Sequence, residues 1–251
     1  MTARRDAGTD RSDNRQDQKR AAAEWAADLV CSKMVVGLGT GSTAIFAVRQ
    51  IAARITEGDL TDVVAIPTST GVAVTARTLG IPLGDLDQHP VIDLTIDCAD
   101  EVDPHLNLVK GGGGALLREK IVAQATRREV IVVDAAKCSS RLGTHHLLPV
   151  EVVDFGWRPE ALYLESLGAT VTQRKTADGS VFRTDQHNFI LDADLGPIDD
   201  PEALVAALLA RAGVVEVGLF CGLVSDLVVG TTTGVEHRPH DGPTTRSVTE
   251  P

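Results

Sequence analysis

Between residues 34 and 134, short β-branched runs alternate with helical stretches, and that alternation restricts the chain to few folds. The runs fall at 34–38, 63–67, 91–97 and 129–134, and helical stretches at 43–55, 71–79 and 115–125 separate them. A helix is also expected at 19–30, with Trp25 and Leu29 on one face. A strand that regains its neighbour through a helix makes a right-handed crossover, so the pattern predicts an open, mostly parallel, Rossmann-like sheet. After Pro149 the rhythm changes. Strands at 150–153, 170–174, 188–193 and 214–220, with helices at 159–167 and 201–212, spell β-α-β-β-α-β. That order is the ferredoxin-like pattern, so the expected class is α/β with a second, smaller ferredoxin-like α+β domain. A strand at 227–230 would return to the first sheet. The large domain is then discontinuous, 19–145 plus 219–238, around a small domain at 146–218. Segments 1–18 and 239–251 are polar and read as disordered tails.

A chain of 251 residues can bury a substantial core. Aromatics are only 3% of it, so Val, Leu, Ile and Ala must build that core; Trp25, Trp157 and Tyr163 are assigned to packing. The net charge of -11 argues against nucleic-acid binding, which needs a basic face. The four cysteines form no C-x-x-C pair, so neither a disulfide framework nor a thiolate zinc site is expected. Reduced thiols in the cytoplasm fit better. No hydrophobic segment follows Arg4-Arg5, so no export signal is read there. Glu216 and Asp226 interrupt the apolar stretch at 214–230, and no membrane span is expected.

Three clusters could carry chemistry. The first, Gly37-Leu-Gly39-Thr40-Gly41-Ser42-Thr43, lies between a strand and a helix, where free N–H groups and hydroxyls suit a phosphate. It is no dinucleotide fingerprint, because Ser42 stands where a third glycine is needed. It also lacks the lysine of a Walker loop and the flanking glycines of a nucleophile elbow. The second, Asp97-Cys98-Ala99-Asp100-Glu101, ends a strand and sets two carboxylates on one turn. Ala99 breaks any EF-hand spacing. The third is Lys110-Gly111-Gly112-Gly113-Gly114, leading into a helix that carries Glu119. Four successive glycines imply close approach of backbone to a ligand. Taken singly, these are a capped turn, a solvated acidic turn and a glutamate pairing with Arg118 or Lys120. Together they offer a carboxylate base, a cation and anion-binding amides, which suits proton transfer beside a carbonyl. No H-E-x-x-H motif is present, and His145-His146 read as loop residues, so no metal site is expected.

These clusters, in this order and spacing, resemble the type A ribose-5-phosphate isomerases. Further agreement lies in Val133-Asp-Ala-Ala-Lys137, Leu148-Pro-Val-Glu151 and Val217-Gly-Leu-Phe220, and the likeness runs from residue 19 to about 236. The resemblance implies a cofactor-independent aldose–ketose isomerase acting on a pentose phosphate, as a homodimer or homotetramer. It implies that Thr40, Gly41, Ser42 and Thr43, then Asp97, Cys98, Ala99 and Asp100, then Lys110, Gly111, Gly112 and Gly113, line the substrate site with Lys137. Glu119 would be the base, Lys110 the oxyanion partner, Asp97 the group for ring opening or O1–O2 proton transfer, and Asp100 an orienting carboxylate. Cys98 stands where the family usually has glycine; its side chain is expected to point away from substrate, and it would be the point of attack for thiol reagents. A non-catalytic sugar-phosphate sensor, or another sugar-phosphate enzyme of the same architecture, is the competing reading.

Overall fold

The computed structural model describes residues 7–240, with side chains from residue 14. Helix α1 (Ala7–Ala27) leads into β1 (Val35–Leu38), α2 (Ala44–Glu57), β2 (Val64–Pro67), α3 (Thr70–Thr78) and β3 (Ile92–Asp97). A short hairpin, β4 (Glu101–Val102) and β5 (Leu108–Val109), precedes α4 (Leu116–Gln124) and β6 (Thr126–Asp134). Next come β7 (Leu148–Val152), α5 (Trp157–Ser166), β8 (Thr170–Gln173), β9 (Phe189–Asp194), α6 (Pro201–Leu209) and β10 (Val214–Val217). The described chain closes with β11 (Leu219–Phe220), β12 (Asp226–Thr231) and β13 (Gly234–Pro239).

The main sheet has the order β13-β12-β6-β3-β1-β2, parallel throughout except for β13. Strands sheltered on both faces need apolar residues at successive positions. Val130, Ile131, Val132 and Val133 of β6 are accordingly all buried. The second sheet, β10-β7-β9-β8, is antiparallel. Numbered within its own unit, that order is 4-1-3-2, the ferredoxin-like arrangement. Its separate core gathers Val150, Val152, Leu164, Leu191, Leu208 and Val217, with Trp157 and Tyr163 packed at the edge. Each such side chain contributes about 1.5–3 kcal/mol on burial. No helix among the described residues is long and apolar enough to cross a membrane.

The structure departs from the sequence reading in three places. Residues 7–18, read as tail, continue α1, where Gln18 and Asn14 hydrogen-bond one turn apart at 2.7 Å. The extension is polar, so no apolar period announced it. Residues 1–6 and 241–251 lie outside the described part. The strand expected at 214–220 divides at Gly218. Its N–H donates to Pro149 O at 2.7 Å, and its carbonyl accepts from Lys110 N at 2.8 Å. The remainder, β11, joins β5 and β4 in a third small sheet. Finally, β13 is exposed along its whole length and gave no alternating signal.

Candidate active site

From β1 the chain crosses to β2 on one side, while β3 lies on the other. Such a switch point opens a crevice at the carboxyl ends of the strands. The loops after β1 and β3 meet there. Gly39 N–H donates to Ile96 O at 2.9 Å. A Cβ at Gly39 would lie 2.2 Å from Asp97 Oδ1, so only glycine allows the two loops to touch. Asp97 then accepts hydrogen bonds from the amides of Thr40 (3.1 Å) and Cys98 (2.7 Å).

Thr40 turns its hydroxyl to Thr68 and Ser69, each at 2.8 Å, joining the first loop to the cap of α3. Ser42 accepts from Lys19 Nζ at 3.0 Å. Thr43 sits at the start of α2 with no side-chain capping bond. Hydroxyls, first-turn amides and a lysine therefore gather at one helix N-terminus, an arrangement suited to phosphate.

Below this lies an ionic cluster. Lys110 Nζ is 3.0 Å from Asp97 Oδ2 and 3.0 Å from Glu119 Oε1, and it also donates to Cys98 O. The three side chains are at most 5% exposed. Burial raises the pKa of Asp97 and pushes Glu119 up to about 8, against the pull of Lys110. Burial also opposes the charge of Lys110, but the two carboxylates outweigh it and hold its pKa well above the usual value. Asp100, half-buried, accepts the Gly112 N–H at 2.7 Å. Lys137 stands 3.4 Å from His146 Nε2, and burial lowers the pKa of that imidazole.

A cavity of about 250 Å³ unites these groups: the first loop from Thr40 to Thr43, Cys98, Ala99, Asp100, Lys110, Gly111, Gly112, Gly113, Glu119 and Lys137 all line it. Asp97 does not. It lies fully buried beneath the wall, joined to the lining through Lys110, Cys98 N–H and the first loop. Cys98 has no positive φ, and its Sγ folds back to 3.2 Å from Thr40 O. Burial pushes its thiol up to about 12, so the expected sensitivity to thiol reagents is not supported. Sequence reasoning missed Lys19, which lines the cavity from α1; a lone lysine in a polar stretch carries no local signal. Among the described residues no three His, Cys, Asp or Glu side chains gather as a metal ion requires.

The family profile described as ribose 5-phosphate isomerase A (phosphoriboisomerase A) matches residues 64–234. The chain belongs to that family. A ribose-5-phosphate isomerase A from Chloroflexus aurantiacus is 58% identical over 222 residues, 88% of this chain and 93% of that one. One from Desulfatibacillum aliphaticivorans is 56% identical over 217 residues, 86% and 94% of the two chains. Among solved structures, a D-ribose-5-phosphate isomerase in complex with phospho-erythronic acid superposes with a TM-score of 0.87. It is 35% identical and covers 89% of this chain and 98% of its own. The ribose 5-phosphate isomerase A of Methanocaldococcus jannaschii gives 0.85 at 37% identity, covering 89% and 99%. Family membership makes the chain an isomerase and agrees with the resemblance drawn from its three clusters.

Proposed function

We propose that the enzyme interconverts D-ribose 5-phosphate and D-ribulose 5-phosphate through a cis-enediolate, with the site residues acting as follows. The observation that carries this reading is the buried Asp97–Lys110–Glu119 cluster at the wall of a hydroxyl-lined cavity. Ser42, Thr43 and the first amides of α2 hold the phosphate, with Lys19 and Lys137 supplying charge. Glu119 takes the proton from C2 of the aldose and returns it to C1, while the O2 proton passes to O1. The sugar gains and loses nothing, so the reaction calls for no cofactor. Asp100, on the cavity wall, is the carboxylate placed to handle hydroxyl protons and ring opening. Asp97, beneath the wall, anchors Lys110 and the first loop.

Lys110 begins hydrogen-bonded to Glu119 and Cys98 O and ion-paired with Asp97. When Glu119 accepts the carbon proton it loses its charge and its hold on the ammonium. An N–H of Lys110 is thus released as the enediolate oxygen gains charge, which is when stabilisation accelerates the reaction. Phospho-erythronic acid, present in the solved relative, is a sugar-acid phosphate whose flat carboxylate shares the two-oxygen end of an enediolate. By family likeness the enzyme is a cytoplasmic homodimer or homotetramer, an assembly that sedimentation of the purified chain would measure.

The deciding experiment is a coupled assay of ribose 5-phosphate conversion in the presence of EDTA. Turnover should persist with the chelator and fall at least about 10²-fold in Glu119→Gln, the usual scale for a positioned acid–base group. Near-normal turnover in that variant would remove Glu119 from the role.

A further inference from the structure

The glycine run at 111–114 has no side chains with which to hold its shape, and glycine loses more backbone freedom on ordering than any other residue. Its shape is imposed from the small domain. Arg174, just after β8, donates through Nη1 to Gly111 O at 2.7 Å and to Gly112 O at 3.1 Å. The rest of the guanidinium is locked on Asp192 of β9: Nε donates to Oδ2 at 2.9 Å, and Nη2 pairs with Oδ1. Phe182, whose amide donates to Arg174 O at 2.9 Å, covers Gly114 so closely that a Cβ there would lie 2.4 Å from its ring.

In a trans peptide the C=O and the following N–H point in opposite directions. With the Gly111 and Gly112 carbonyls aimed at Arg174, the amides of Gly112 and Gly113 face the other way. The first meets Asp100 at 2.7 Å, and Gly113 lines the cavity. A cation bonded to a peptide carbonyl also polarises the N–H of that peptide, making it a stronger donor.

We propose that Arg174 is a positioning residue for the isomerisation. It fixes the glycine loop so that Gly113 N–H is presented to a substrate oxygen and Asp100 is held in register through Gly112. The small domain thereby takes part in the reaction without touching substrate. The inference rests on the function proposed above. Lysine cannot replace Arg174, because a point charge does not span two carbonyls and a carboxylate as a planar fork does.

The test compares wild type, Arg174→Ala and Arg174→Lys in the ribose 5-phosphate assay, with thermal melting of each. Both variants should lose about 10²-fold in kcat, the scale of one lost oxyanion donor, while KM moves by less than about threefold. Added guanidinium ion should restore Arg174→Ala by about tenfold or more, since it refills the vacated fork, and leave wild type unchanged. Wild-type kcat in Arg174→Lys would overturn the proposal. So would losses that merely follow the folded fraction and ignore guanidinium. If Arg174→Ala does not fold, Arg174→Lys decides. Inactivity of the wild type itself would instead overturn the isomerase reading.

Discussion

Glu119 binds a proton more readily than an ordinary glutamate because it is buried, and the charge of Asp97 adds to the effect while Lys110 opposes it. A base must be ionised to remove a proton from carbon, so kcat/KM should fall as pH drops through about 8 and level off above it. A pH–rate profile with no such limb would exclude this assignment. The same shift links to stability. Between 4.5 and about 8 the folded carboxyl holds a proton that the unfolded one has released, so stability falls as pH rises across that window. Glu119→Gln removes this penalty and should melt higher than the parent at alkaline pH, about 2–4 °C for each kcal/mol in a chain of this size. Scanning calorimetry at a series of pH values measures it. Cys98 gives the opposite kind of prediction. With the thiol at about 12, iodoacetamide at neutral pH should leave turnover unchanged; activity lost in proportion to label on Cys98 would contradict an unreactive thiol there.

Elements show why some of this was legible in the sequence and some was not. The loop after β1 could be read because it needs glycine where two backbones touch and hydroxyls at a helix start, and both needs are local. Gly39→Ala should place a methyl against Asp97, which lies 2.2 Å from that Cβ position. The cost is expected at about 1–3 kcal/mol, as for other overpacked sites, with turnover falling as Asp97 and Lys110 shift. Denaturant melts and the isomerase assay on one variant read both. Gly218 was not legible in the same way. Val214 to Phe220 reads as one strand, and only pairing with Pro149 on one side and Lys110 on the other divides it. Lys19 and Arg174 were invisible for a related reason. Each acts on a loop far away in sequence, and nothing beside it in the chain marks its target. The short β4–β5 hairpin is too brief for a periodic signal, though it places Asp100 and Lys110 at its two ends.

At the scale of the whole molecule, the small domain is a closed excursion from the large one. The chain departs near Pro149 and returns at Gly218, and one hydrogen bond of 2.7 Å joins these two residues. Only beyond that return does the chain supply β12, which pairs with β6 from Val130 to Asp134. A chain ending at Ser225 would therefore fold its small domain yet leave the β6 edge open. It should be inactive and sediment as aggregates, since an unpaired apolar edge recruits other strands; a monodisperse truncated chain would contradict this. The same order governs synthesis. A growing polypeptide emerges from the ribosome with the catalytic loops made well before the strand that seals their sheet. Until then the nascent chain carries an unfinished edge, and its protection rests on the speed of elongation and on chaperones.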